Sequence, residues 1–316
     1  MRKTLIAVLV GLGVFGLLAA GLFRFYVPSR VEKTPLNLDI TQVATGPAKL
    51  FNAETGKVED VPLRAVRKVL TDSAASDSKV TVIEESLCVV KDVDNPPMPC
   101  VDSHDAQHRL LDQTTDRVAA DRKSAESSND PRYATNINGD TSATHTGLTY
   151  KWPFHAKKVS YKFFDPISRQ APDARFIGTD KIHGMTMYKY EAVIPTLDLP
   201  IGKDIPGTYS DTRTVWIEPL TGVIVKGIEV QKRNFPDGSV ALDSTLTFDQ
   251  ASIDYQAKQA KDGRNSLRLV TLVLPLVLLL VGLAALVGAF LLYRRAGGNG
   301  HRAAPGEPAV RSGATR

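Results

Sequence analysis

Cysteine is scarce in this chain: Cys88 and Cys100 are the only two among 316 residues. So few thiols exclude a multi-bridge disulfide scaffold and any four-cysteine metal centre. Aromatic residues make up 7%; a transmembrane barrel needs many alternating segments of about 9 to 11 residues with aromatic girdles, whereas this chain spends its lipid-facing apolar content on helices. Catalytic signatures are missing too. Neither a G-x-S-x-G elbow nor a phosphate-cradling G-x-x-x-x-G-K occurs, so the chain is not expected to be an enzyme, and no cofactor or metal is implied. Finally, charge is absent from two long runs, the 19 residues from Leu5 to Phe23 and the 25 from Leu269 to Tyr293.

Each of those runs is long enough to cross a bilayer, which takes roughly 20 helical residues. The mean hydropathy of −0.12 conceals them because the 245 residues between, Arg24 to Arg268, are polar and mixed. The expected plan is a short cytoplasmic start (1–4), a first span (5–23), a central domain (24–268), a second span (269–293) and a disordered basic tail (294–316). The formal charge of +5 belongs to the edges, since Phe25 to Arg268 holds 31 basic and 33 acidic residues. Basic residues flanking spans meet anionic headgroups, so the partner they imply is membrane lipid and not nucleic acid.

Counting Lys and Arg near the spans leaves orientation almost tied, six on the terminal sides and seven on the central side. The short Arg2-Lys3 start before an apolar run reads as a signal or signal-anchor, and long domains translocate largely regardless of charge. The expectation is therefore a two-pass plasma-membrane protein with both termini cytoplasmic and the large domain outside. Ala19-Ala20-Gly21 offers small residues for a signal peptidase, but the apolar run continues through Leu22-Phe23 and is longer than the usual 7 to 15. Retention as a signal-anchor is the expectation. In an oxidising compartment Cys88 and Cys100 are expected to pair, closing a short loop stiffened by Asn95-Pro96-Pro97-Met98-Pro99 and contributing about 3 kcal/mol by loop-closure entropy.

The central domain shows short β-rich runs punctuated by turns. Lys79 to Val90, Val159 to Phe164 and a pair within Lys181 to Ile194 read as strands. Thr214 to Gly227 reads as a hairpin around Glu218-Pro219-Leu220-Thr221-Gly222, followed by runs from Ile228 to Lys232 and from Val240 to Phe248 in an antiparallel meander. Asp121 to Thr146, rich in Ser, Asn, Asp and Thr, reads as a long strand-poor excursion. Asp249 to Arg268 carries Ile253, Gln256, Ala257 and Ala260 at helical spacing and predicts a helix leading to the second span. The fold class is a mainly β, antiparallel extracytoplasmic domain with some helix, flanked by two transmembrane α-helices.

Several motifs have plainer uses. Gly11-Leu12-Gly13-Val14-Phe15-Gly16 matches the dinucleotide fingerprint letter for letter, but no strand precedes it and the context is a span. Small residues four apart, Gly16 with Ala20 and Ala284 with Gly288, suit close approach of two spans, and Pro275 is placed to kink the second. His104 and His108 have helical ligand spacing without the zincin glutamate between them. The stretch Tyr150, Trp152 and Phe154 followed by Lys157 and Lys158 reads in two ways. The aromatics and cations form a binding surface for a lipid or lipoglycan, or the rings alternate into a core whose wet edge is the lysines.

The residues Leu148-Thr149-Tyr150-Lys151-Trp152-Pro153-Phe154, Tyr161, Phe164-Asp165 and Arg213-Thr214-Val215-Trp216-Ile217-Glu218-Pro219-x-Thr221-Gly222 resemble actinobacterial PorA-family envelope proteins. Asp116-Arg117-Val118-Ala119-Ala120-Asp121-Arg122 is similar to the same pattern, although Lys123-Ser124-Ala125-Glu126 lacks the Thr-Gly expected after it. The likeness covers nearly the whole chain. It implies a scavenger-receptor-like plan of two spans around a β-rich ectodomain and a tie to the maturation of lipoglycans such as lipomannan. The expected function is non-enzymatic binding or transfer of a lipid or lipoglycan, with a channel subunit and a scaffold for envelope glycosyltransferases as the other readings. Oligomeric state is left open, because two charge-free helices from one chain enclose no aqueous pore.

Overall fold

A computed structural model describes residues 1–202 and 205–297. The chain divides into two compact units, one formed by Met1–Val31 with the segment from Leu267 onward and the other by Glu32–Ser266. The expected disordered tail, 294–316, begins inside a helix that runs to Gly297, and its remainder lies outside the described residues.

The first unit is a helix pair. Helix α1 covers Arg2–Phe25 and is followed by a single turn, α2, at Pro28–Val31. Helix α4 covers Leu274–Gly297. A π-helical turn, Leu269–Val273, precedes α4, and there the Leu274 N–H reaches back to Leu269 O. Pro275 has no N–H to offer Thr271 O, and its ring crowds that carbonyl, so a one-residue wide turn just ahead of it relieves both problems. The two helices pack through the small residues expected on α1, where Gly13, Gly16 and Ala20 are buried, but on α4 the expected Ala284 is exposed. A Cβ on Gly16 would lie 2.9 Å from both Gly282 Cα and Leu278 O, so the backbones touch where neither partner has a side chain. Gly282 carries this contact on α4, and Ala289 is buried as well, whereas Gly288 meets only the tip of Leu9.

Away from that seam, Leu12, Phe15 and Leu18 of α1 and Leu280, Val281 and Phe290 of α4 stand exposed. In water each such side chain forgoes about 1.5 to 3 kcal/mol of burial. In hydrocarbon they are solvated, and the helical backbones satisfy their own hydrogen bonds. The chain is a two-pass membrane protein with the β-rich unit on the extracytoplasmic side. The Cys88–Cys100 disulfide, with Cα atoms 5.8 Å apart, agrees with an oxidising compartment.

The second unit is an antiparallel sheet of twelve strands. In chain order they are β1 Asp39–Asn52, β2 Lys57–Asp72, β3 Val80–Lys91, β4 Leu110–Asp121, β5 Ser127–Ser128, β6 Asn136–Ile137, β7 Tyr161–Lys162, β8 Asp173–Ile182, β9 Met185–Asp198, β10 Thr208–Ile217, β11 Ile224–Asn234 and β12 Val240–Phe248. The spatial order is β5-β4-β3-β2-β1-β12-β11-β10-β9-β8-β7, with β6 on β4. Two meanders, β1 to β4 and β8 to β12, thus join where the first and last long strands pair. The sheet curls on itself, because Arg233 on β11 reaches Asp112 on β4 at 3.7 Å across four intervening strands.

Three expectations need correction. The runs 224–226 and 228–232 are one strand, β11, with Gly227 paired to Val215 in its interior and not at a turn. Val159 to Phe164 forms a strand only at Tyr161–Lys162, because its neighbours bond outside the ladder, Phe163 N–H to Pro172 O and Phe164 N–H to Leu148 O. The helical spacing of His104 and His108 is not realised: Asp102 and Asp105 cap turns there, and His108 has φ 50°.

Helix α3, Gln250–Arg268, buries Ser252, Ile253, Gln256, Ala257 and Ala260, four of them the positions picked from spacing. Ile253, Ala257 and Ala260 cover Met185, Met187, Trp216 and Val225 on one face of the sheet. On the opposite face, Trp152, Phe163, Tyr190, Ala192, Val215 and Ile217 form the largest aromatic-rich core. Strand β9 feeds both, through Met185 and Met187 on one side and Tyr190, Ala192 and Ile194 on the other.

Candidate functional site

The segment 148–165 has almost no regular structure, yet it carries the residues that organise the interior. Its backbone is held by neighbouring turns: Trp152 N–H donates to Gly222 O at 2.8 Å, His155 N–H to Leu220 O at 3.1 Å and Ala156 N–H to Pro219 O at 2.8 Å. The accepting turn is built by Glu218, whose buried carboxylate takes both the N–H and the hydroxyl of Thr221 at 2.8 Å. Gly222 has φ +75°, and a Cβ there would sit 1.9 Å from Trp152 O. Only glycine suits both the left-handed backbone and the close approach.

The aromatics chosen from sequence do not gather on one surface. Trp152 is fully buried against Phe163 and Tyr190, with ring centroids 4.9 and 5.3 Å away. Tyr150 leans the other way, against Val69, Ile83 and Val118, and its hydroxyl donates to Asp116 Oδ2 at 3.1 Å. Phe154 is half-buried beneath Lys151, whose Nζ lies 3.6 Å from the ring centre. Loss of water lowers the Lys151 pKa to about 7. Lys157 and Lys158 are exposed, and Lys158 Nζ sits 5.5 and 5.4 Å from the half-buried rings of Phe176 and Tyr188. The structure thus separates a core ring, an interior hydroxyl and an exposed cationic edge.

What sequence reasoning missed is the charge held on the concave side of the sheet. Arg213 of β10 is close to three carboxylates: Asp165 at 2.5 Å, Asp211 at 2.8 Å and Glu229 at 3.5 Å. Tyr209 OH also donates to Asp165, at 3.2 Å. Facing this group from the other meander are Glu85 with Arg67 at 3.3 Å, and Asp116 with His145 Nε2 at 2.7 Å. Burial opposes the charge on Arg213, but Glu229, Asp211 and Asp165 outweigh it and raise its pKa. Burial pushes Asp211 up to about 8, with Arg213 opposing and Glu229 and Asp165 adding to the rise. Burial likewise raises Glu85, against the pull of Arg67. Because alternate positions of a strand face one side, Asp211 and Arg213 share the concave face with Tyr209, and cross-strand pairing sets Glu229 opposite Arg213 and Gln231 opposite Asp211.

Several of the residues that carry the family likeness meet in this interior. Asp116, Tyr150, Asp165 and Arg213 contribute to the charge network, while Trp152, Glu218, Thr221 and Gly222 build the turn that seats the segment. The chain matches the family model described as "PorA: Porin PorA" over residues 6–291. It is similar to a Porin PorA of Corynebacterium amycolatum, 23% identical over 300 residues, covering 73% of this chain and 75% of that relative. A Porin PorA of Corynebacterium resistens is 29% identical over 100 residues, covering 28% of this chain and 24% of that relative. With most of both spans and the whole β domain inside the matched region, the chain belongs to the PorA family.

Proposed function

We propose that the protein acts as a subunit of a channel in the cell envelope. The observation that carries this reading is the match to the Porin PorA model across residues 6–291, which takes in most of both spans as well as the β domain. The helix pair sets a condition on it. Gly16 and Gly282 touch directly, leaving no room for water between α1 and α4, and neither span carries an internal charge to line a wet path. Conduction therefore needs several copies. Purified full-length protein added to a planar bilayer is expected to give discrete conductance steps, with activity rising more steeply than the first power of concentration. Silent bilayers in which insertion has been verified would reject the reading.

A second reading, binding of a lipid or lipoglycan by the ectodomain, is favoured by the exposed edge where Lys158 lies beside Phe176 and Tyr188. Cations over half-buried rings suit an anionic headgroup joined to an apolar body. Mass spectrometry of lipid extracted from the purified protein separates the two, since this reading requires a bound amphiphile and the channel reading does not.

A further inference from the structure

We infer that the Arg213 cluster is a proton-binding site inside the β domain, and that loss of its proton loosens the strands that face it. Three carboxylates, those of Asp165, Asp211 and Glu229, surround one guanidinium, and among the described residues no second Arg or Lys lies within 4 Å of any of them. The side chains of Asp165 and Asp211 are each 2% exposed. So much negative charge in a dry setting is relieved most directly by taking up hydrogen ion. A second observation identifies the acceptor. Asp211 Oδ1 is buried and has no hydrogen-bond partner among the described residues, while Oδ2 lies against Arg213. Asp165, Asp211 and Arg213, with Phe163, Pro172 and Ile194, line a cleft too tight to admit a water molecule to that oxygen.

The groups facing Asp211 come from every element packed around it. Tyr209 and Arg213 share its strand, Glu229 and Gln231 lie on β11, and Asp165 belongs to the irregular segment. Glu85 on β3 feels the charge of Arg213, with Arg67, Asp116, Tyr150 and His145 beyond it. When Asp211 ionises, its charge adds to those of Asp165 and Glu229 while Arg213 alone answers them, and Glu85 across the gap shares the same guanidinium. Repulsion then acts between β10, β11 and the 148–165 segment, and on Glu85 of β3.

The sign follows from linkage. Asp211 keeps its proton to about pH 8 in the folded protein, whereas an unfolded aspartate loses it near 4. Between those values the folded state binds more hydrogen ion than the unfolded one, so stability falls as pH rises and levels off above about 8. In the full-length protein in nanodiscs, the melting temperature of the native chain should drop across pH 5 to 9, and D211N should remove most of that drop. At pH 9 the variant is expected to melt roughly 5 °C higher than the native protein. Hydrogen exchange corrected for intrinsic base catalysis should quicken in β3, β4, β10 and β11 between pH 7 and 9 in the native protein and not in D211N. Parallel melting curves for the two proteins, or exchange in those strands that ignores pH, would overturn the proposal. If D211N does not fold, E229Q removes another of the three charges at a half-exposed position and is expected to flatten the same curve, and an unflattened curve overturns the proposal equally.

Discussion

Replacing Arg213 by Met is expected to destabilise the β domain by about 3 to 5 kcal/mol, the usual cost of deleting one partner of a buried ion pair. Here the deleted guanidinium is, among the described residues, the one cation close to Asp165, Asp211 and Glu229. Arg213→Lys should fall between the two proteins, because an ammonium keeps the charge but not the fork that reaches several carboxylates at once. Trp152 and Trp216, the only tryptophans in the chain, both lie in the β domain. Urea unfolding followed by intrinsic fluorescence therefore reports that domain without a signal from the spans. A midpoint for Arg213→Met within experimental error of the native one would mean that the cluster is not structural.

The second large effect is expected at Gly222. An alanine there meets two penalties, a left-handed backbone, roughly 1 to 2 kcal/mol for a residue with a Cβ, and a methyl carbon 1.9 Å from Trp152 O. The overlap cannot be relieved by rotating a side chain, because the obstacle is backbone. It must push the 148–156 segment off the turn and break the bond from Trp152 N–H to Gly222 O. The combined loss is placed at roughly 3 to 4 kcal/mol, read as a lower urea midpoint and a shifted Trp152 emission. Gly238→Ala supplies the control. Gly238 has a similar φ of +83° with nothing within 4 Å of its Cβ position, so only the backbone penalty should appear. Equal losses at the two sites would show that the close approach to Trp152 contributes nothing.

Elements whose hydrophobic pattern reports burial were legible from sequence. The spans are apolar on every side because lipid surrounds all but one seam, and α3 shows its buried face through Ile253, Ala257 and Ala260. Strand β3 and the β10–β12 meander combine β-branched runs with clear turns. By contrast, β1, β2 and β4 gave little signal, and the reason is the polar interior. Strand β4 points Asp116 inward to His145 and Tyr150 and sends Arg117 outward to Asp72 and Glu84, so both of its faces look like surface. In β1 and β2 the interruptions at Pro47 and Pro62 fall directly opposite each other in the register, and a sequence scan meets each as a break.

The interior cluster was illegible for a related reason. Asp165, Asp211, Arg213 and Glu229 are ordinary surface-type residues until the curl of the sheet removes their water. Only the pairing of β10 with β11, and the return of the 148–165 segment, brings them within 4 Å. The motif residues gave an indirect hint, since Asp165 and Arg213 stand at the edges of the two stretches that carry the family likeness. The aromatic segment combines features of both readings drawn from it: Trp152 belongs to the core, whereas Lys157 and Lys158 remain at the surface.

The central claim is that lipid solvates α1 and α4 while the sheet stands outside the cell membrane. Site-directed cysteine labelling tests it most directly, since the native pair Cys88 and Cys100 is bonded and silent toward maleimides. Glu54→Cys places a thiol at the exposed β1–β2 turn, and Lys3→Cys places one ahead of the first span. In intact cells a membrane-impermeant maleimide should label Glu54→Cys at once and Lys3→Cys only after permeabilisation. Labelling of Lys3→Cys in sealed cells while Glu54→Cys stays protected, or free access to neither until lysis, would contradict the account.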